Sequence, residues 1–428
     1  ADGYLPVLVV RHRITDSGAG ALTSPPFPPE PKQAAPDPVR RPRSQPVDQL
    51  RLAHARRMLL ACGYAAECPL AGVIGLDADV VLWHDLDAPT WPGGRSTLEE
   101  YDVRFADRLA VATAAASGAE PLAQPSRVVE CRHCPWWPTC EAALLEVSDV
   151  SLVLRGEDGV SLRAAGVRTV RDLATLDPAA EPPVQLVGLH FPDAVAMARA
   201  WLADLTVVRK VPELRVPRAN VELDVDMESF SDSGAYLWGC LLSGVDIGVR
   251  PGYHGFVTWN PLPTADEGRS FGEFWEWLSG VRLRAAARGL SFRAYCYNEL
   301  AENRWLLASA DRFAGAPGVP DRTQVRAFIG SPAWVDLYRS VSNQLLCARG
   351  KGLKVIAPVA GFHWRDPDAG GENSMRWYRD AVGLDGRAPD VSQRDRLLRY
   401  NEDDVRATHA LREWMTSSAT DLPYIGDL

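Results

Sequence analysis

The sequence predicts an α/β protein of more than one unit. From about residue 216 onward, short apolar strands alternate with amphipathic helices, the pattern of a central mixed sheet covered by helices. Upstream lies a second α/β lobe, a helix, two strands and a long helix, which closes on a cluster of cysteines. Between the two, a pair of short helices turning on a glycine is followed by proline-rich text. At 428 residues the chain has length for two or three domains, each able to bury its own core. We divide it at 1–143, 144–215 and 216–428.

The first lobe opens with the strand Tyr4 to His12. Residues Ser24 to Pro46 hold many prolines among Ala, Arg and Gln, which prevents regular pairing and predicts a disordered or extended insertion. A helix from Val47 to Cys62, strands Gly72–Leu76 and Val80–Trp83, and a long helix opened by the capping box Ser96-x-x-Glu99 complete the lobe. Cys131, Cys134 and Cys140 close it around Pro-Trp-Trp-Pro. Thiolates at this spacing can wrap one face of a soft metal or cluster, which needs a fourth ligand. A zinc site or three unrelated buried thiols would read the same way.

From Leu144 to about Leu176 two short helices turn at Gly166, with Thr169 capping the second. Amides at such a helix start can face a phosphate whatever the base sequence, although ordinary helix packing gives the same pattern. Pro182-Pro183 and Val211 to Pro217 mark the linker into the last domain.

There, strands at Val221–Met227, Tyr236–Leu242, Gly255–Trp259 and Phe292–Tyr297 precede helices at Phe271–Arg288 and Ala301–Ser309. Alternation on the first strand puts Glu222, Asp224, Asp226 and Glu228 on one face. Like charges so close need a neutralising partner, and hard divalent cations with oxygen ligands supply one. A half-exposed edge strand with a solvated acidic face is the competing account. The last helix, Gln393 to Met415, has an inward stripe of Leu397, Tyr400, Asp404, Thr408, Leu411 and Met415. Asp404 interrupts that packed stripe, and Tyr400 lies one turn earlier, so hydroxyl and carboxylate can converge. A core Asp bound by a backbone or Arg donor would look alike. Glu302 falls in the first turn of the helix after the Tyr297-Asn298 corner, where an acid also suits the helix dipole.

These stations stand in the order of the DEDD exonucleases, and residues 221–415 resemble the YprB-type ribonuclease-H-like domain. Asp226 and Glu228 match the family's Asp-x-Glu, and Tyr400 with Asp404 its Tyr-x-x-x-Asp. Tyr297, Asn298 and Glu302 match the middle motif, with Glu where relatives carry Asp. Asp336-Leu337 and Leu353-Lys354 match neighbouring family features. The resemblance implies two-metal phosphodiester hydrolysis from a 3′ end with two Mg²⁺ or Mn²⁺ ions. Asp226, Glu228 and Asp404 would bind one ion, Asp226 would bridge to a second helped by Glu302, and Tyr400 would orient the attacking water. Nucleic-acid contacts fall to Asn298 and Lys354.

The cysteine cluster is similar to that of RecB-like nucleases of the PD-(D/E)XK type, so the whole chain resembles RecB-like nucleases that fuse both parts. That implies a [4Fe–4S] cluster. Its fourth cysteine is expected upstream of Ala1, since the chain begins without Met and inside a domain, or else is Cys62 or Cys68. In register with the family's acidic-x-Lys step stand Leu8 and Val10, which bind no metal, so this lobe is expected to be degenerate. His12 and Arg13 could still hold a phosphate, as could the basic stretches Pro38–Arg43 and Arg51–Arg57.

Composition predicts a cytoplasmic protein. No apolar run approaches the ~20 residues that cross a bilayer, and no signal peptide opens the chain. Eight cysteines in this length make no disulfide framework. A net charge of −9 argues against a non-specific coat for nucleic acid without excluding a nuclease. Single-stranded DNA or RNA, or an end with a free 3′ terminus, is the expected substrate. The competing class is a non-catalytic scaffold that binds nucleic acid and presents it to a helicase or repair partner. A zinc-dependent regulator that binds DNA through the hairpin is the third.

Overall fold

The computed structural model describes residues 3–43, 45–76, 79–384, 386–417 and 419–428. The chain folds as two compact units, Ala1–Gln124 and Pro125–Leu428, so the cysteine loop belongs to the second. No helix among the described residues is long and apolar enough to cross a membrane.

In the first unit, β1 (Val7–Val9), β2 (Thr15–Ser17), β3 (Ala21–Ser24), β4 (Ala35–Asp37) and β5 (Arg40–Pro42) precede α1 (Pro46–Ala61). Then come β6 (Leu70–Ile74), β7 (Val81–Asp85) and α2 (Thr97–Ala116). Five strands pair in the order β1-β6-β7-β3-β4, and β2 pairs with β5. The stretch from Ser24 to Pro46 therefore carries two short strands, a correction to the expected loop. Its prolines tolerate this because β4 is an edge strand and β5 belongs to a two-stranded ribbon, where few ladder donors are needed. Of the expected strand Tyr4 to His12, Val7–Val9 is the part that forms a ladder, parallel to β6. Leu8 and Val10 pack on the apolar core of this unit. His12, expected to face a phosphate, instead lies with Nε2 2.7 Å from Oδ2 of the buried Asp48. Ser96 and Glu99 form the predicted capping box of α2.

The second unit begins with α3 (Trp137–Glu146), α4 (Glu157–Ala164), α5 (Val170–Ala174), α6 (Phe191–Leu202) and β8 (Val207–Arg209). Gly166 adopts φ 91°, the left-handed turn that glycine allows without a Cβ clash, and Thr169 caps α5. The amides of Arg168, Thr169 and Asp172 at that helix start are taken by its own cap. Asp172 accepts from Thr169 N at 2.8 Å and Arg168 N at 3.1 Å, while Asp172 N donates to Thr169 Oγ1. A carboxylate in that place repels phosphate, so the geometry favours the ordinary packing account of the hairpin.

There follow β9 (Val221–Phe230), β10 (Gly234–Gly244), β11 (Gly252–Val257), α7 (Asp266–Ala287), β12 (Phe292–Cys296), α8 (Leu300–Arg312) and α9 (Arg322–Ile329). The chain ends through β13 (Trp334–Asp336), α10 (Leu337–Gln344), β14 (Leu345–Cys347), α11 (Leu353–Ile356), α12 (Gly371–Val382) and α13 (Val391–Met415). Five strands form a mixed sheet in the order β11-β10-β9-β12-β13, antiparallel on one side of β9 and parallel on the other. The acidic strand is thus central, which overturns the edge-strand account. One face of the sheet carries Val221, Leu223, Val225 and Met227 with Trp238, packed on Phe271, Phe274 and Leu278 of α7. Each such side chain contributes about 1.5–3 kcal/mol when fully buried. The acids consequently face the other way, toward α13.

Candidate metal centre of the C-terminal domain

Every residue of the predicted α13 stripe, Leu397, Tyr400, Asp404, Thr408, Leu411 and Met415, is buried. Asn401 and Arg412 are buried beside it. Asp404 approaches the C-terminal half of β9 and Arg412 the N-terminal half, so helix and strand run in opposite senses. The spacing fits: eight helical residues rise about 12 Å, and four strand residues about 13 Å.

This match splits the acidic wall. Arg412, with no exposed surface on its side chain, donates from Nη2 to Asp224 Oδ2 at 2.8 Å and from Nη1 to Glu222. His409 Nδ1 lies 3.2 Å from Asp224 Oδ2. Arg218 Nε donates to Glu222 Oε1 at 2.7 Å, and the Tyr295 hydroxyl donates to the same oxygen at 2.9 Å. Burial alone would raise the Glu222 carboxyl. Arg218, the Ala219 amide, Arg412 and Tyr295 outweigh burial and hold it at about 2. These two acids are structural ion-pair partners, and Asp224 is no substitute metal ligand. Asp403, the other conceivable substitute, accepts from Arg365 N at 2.9 Å and Nε at 2.7 Å.

The other half of the wall lacks such partners. Oxygens of Asp226, Glu228 and Asp404 lie within 4.8 Å of one another, the only such set of His, Cys, Asp or Glu ligand atoms among the described residues. Asp226 Oδ2 accepts from Asn401 Nδ2 at 2.7 Å, and Asn401 Oδ1 accepts from the Tyr253 hydroxyl at 2.8 Å. Asp404 Oδ1 accepts from Trp364 Nε1 at 2.7 Å. Burial first, then the charges of Asp404, Glu228 and Glu302, push the Asp226 carboxyl well up. Burial and Asp404 push Glu228 up to about 8, and burial also raises Asp404 against the pull of Lys354. An all-oxygen set of crowded carboxylates, with only one ammonium acting on it, fits a hard divalent cation.

Gly239 makes room for this arrangement. It pairs directly with Asp226 across β10 and β9, so both face α13. A Cβ there would sit 1.6 Å from Asn401 Oδ1.

Glu302 lies in the first turn of α8, buried, and outside the three-acid set. Burial, then Asp336 and Glu299, raise it to about 8, and its Oε2 has no hydrogen-bond partner among the described residues. Asn298 is exposed at φ 69°, its amide donating to Asp336 Oδ1 at 3.0 Å, which makes the corner that turns β12 into α8. Lys354 Nζ donates to the Tyr400 hydroxyl at 2.7 Å and lies 4.5 Å from that ring's centroid. Burial, with Glu228, Asp404 and Asp226 around it, raises the Tyr400 phenol and keeps it protonated.

Sequence reasoning missed Asn401, Tyr253 and Arg412, and the bond that Trp364 makes to Asp404. Arg412 had a signal, lying two turns beyond Asp404. Trp364 and Tyr253 had none, because chain folding alone brings them in.

Residues 316–416 match the family model of the RNase_H superfamily. The chain therefore carries a C-terminal RNase H-like domain. The match spans Lys354, Tyr400 and Asp404, and the RNase H-like sheet brings Asp226 and Glu228 to them from upstream of it. No curated protein and no solved structure matches the chain.

The cysteines behave differently. Cys131, Cys134 and Cys140 are half-buried thiols whose sulfurs do not gather within the 4.8 Å of a shared site. Cys131 Sγ instead accepts from Val128 N at 3.3 Å. Cys62 and Cys68 are exposed in the first unit. Among the described residues these donors form no gathered set that supports the iron–sulfur or zinc expectation.

Proposed function

We propose that the RNase H-like domain is a metal-dependent nuclease of the DEDD type with a tyrosine, a YprB-like exonuclease that shortens DNA or RNA from the 3′ end. The observation that carries the proposal is the convergence of Asp226, Glu228 and Asp404 beside Tyr400, with Lys354 alone among the described residues as a cation acting on all three. Two bound Mg²⁺ or Mn²⁺ ions would lower the pKa of the attacking water and stabilise the leaving oxygen.

The chain's own residues prepare that chemistry. Asp226, Glu228 and Asp404 supply the ligand oxygens, and Glu302 adds another directly or through water. Asn401 and Trp364 fix Asp226 and Asp404 by one hydrogen bond each, which orients the remaining lone pairs inward. Tyr400, protonated and held by Lys354, offers its hydroxyl to the water. Lys354 and Asn298 are the contacts assigned to the substrate backbone. We assign catalysis to 216–428 and keep 1–143 as a degenerate RecB-like lobe, with 144–215 joining them.

The test is degradation of end-labelled single-stranded DNA and RNA with Mn²⁺, comparing the parent protein with Asp226→Ala. A ladder shortening from the 3′ end in the parent alone supports the exonuclease and identifies its substrate. Retained binding without cleavage would favour a scaffold that serves a helicase or repair partner.

A further inference from the structure

The first unit contains a second feature that the catalytic reading leaves unused. Helices α1 and α2 run side by side, and between them opens a groove of about 440 Å³. Its floor is aromatic. Tyr101 and Phe105 stack with centroids 5.7 Å apart and planes 19° apart, and His54 Nδ1 lies 2.6 Å from the Tyr101 hydroxyl. Phe105 is 49% exposed, an unusual state for a ring with no polar atom.

Its rim is cationic. Arg51, Arg104 and Arg108 line the groove. Arg104 binds Glu100 through Nε at 2.7 Å, and no hydrogen bond engages its terminal nitrogens among the described residues. Arg51 comes no nearer than 4.0 Å to Asp48, whose closer partner is His12. Arg108 has no ion pair among the described residues.

We propose that this groove binds single-stranded nucleic acid, with a base stacked on Phe105 and adjacent phosphates on Arg51, Arg104 and Arg108. An exposed aromatic ring beside guanidinium groups, of which Arg108 has no ion pair among the described residues and Arg104 pairs through Nε alone, satisfies both halves of a nucleotide strand, since bases of every kind present a π face and phosphates recur along the backbone. A purely apolar partner would leave Arg108 desolvated without counter-charge. The choice of nucleic acid as ligand rests on the proposed function, and the first lobe's lack of metal-binding acids is no obstacle because holding a strand requires none.

The experiment measures binding of a fluorescein-labelled single-stranded oligonucleotide of about 16 nucleotides. It uses the full-length Asp404→Asn protein in EDTA, so that binding is read without cleavage and whether or not Asp404 is the catalytic acid. Arg51→Glu/Arg108→Glu is expected to weaken affinity at least tenfold and to flatten the dependence of log affinity on log salt by about 1.4, since each phosphate contact on a single strand contributes about 0.7. Phe105→Ala is expected to weaken affinity about tenfold with the salt slope unchanged. All three positions are exposed, and a thermal melt confirms that the variants stay folded. No binding by the parent, or affinity unchanged in both variants, overturns the proposal. A shift in self-association with affinity unchanged would overturn it too and mark the groove as a protein–protein surface.

Discussion

Glu228, held up at about 8, illustrates how the carboxylates set the stability of the metal-free protein. Its unfolded value is about 4.3, so the folded state binds the proton more tightly. Its favourable contribution is complete below the unfolded value and is lost as pH rises through about 8. Asp226, Asp404 and Glu302 shift in the same direction. The melting temperature of EDTA-treated protein should therefore fall between pH 5 and pH 9, and saturating Mg²⁺ or Mn²⁺ at the alkaline end should restore it. A flat profile in EDTA would mean the acids are not crowded in solution. Asp404→Asn removes one charge from the set. Cleavage should disappear while the metal-free melting temperature at pH 8 rises by about 2–4 °C for each kcal/mol of repulsion relieved. Tyr400→Phe should keep the fold and lower turnover by about 10²-fold, the scale of a lost proton-handling group. The acids themselves were legible, because strand alternation and the helical stripe each have a fixed period. Their division was not. Alternation gives Glu222 and Asp226 the same standing, and it is the partner from α13 that makes one a salt-bridge anchor and the other the proposed ligand.

At the scale of the elements, β9 and α13 are joined by one buried ion network. Arg412→Ala should destabilise the protein by about 3–5 kcal/mol in denaturant titration, because the fully buried Asp224 would lose its arginine and Glu222 one of its two. Adding Glu222→Gln and Asp224→Asn should recover much of that loss. If the single variant is as stable as the parent, water must replace the guanidinium. Gly239→Ala tests the seam from the other side. The added methyl meets the Asn401 side chain, which must move and give up its hydrogen bond to Asp226, and Mn²⁺ affinity measured by calorimetry should fall. The order of strands and helices in this domain was legible from periodicity and punctuation. The centrality of β9 was not, since an acidic face packed on a charged helix and one open to water are written with the same letters. The short strands between Ser24 and Pro46 escaped for the opposite reason: edge ribbons tolerate the prolines that argued against pairing.

Over the whole molecule, residues 117–124 join the two units as an exposed stretch without helix or strand. Brief digestion with a glutamate-specific protease should cut first at Glu120, within exposed backbone of the kind that proteases nick. First cleavage inside α2 or α3 would show the join to be protected. The division of the acidic strand has a further consequence for the protein's lifetime. Half of that strand is neutralised by arginine from the same chain and is satisfied as soon as the chain folds, whereas the other half, on the proposed function, would be satisfied by ions from outside. Copies that stay empty open more often, and degradation of the open form follows its population. Cellular supply of divalent cation would thus govern abundance as well as turnover, thinning out idle copies before they accumulate.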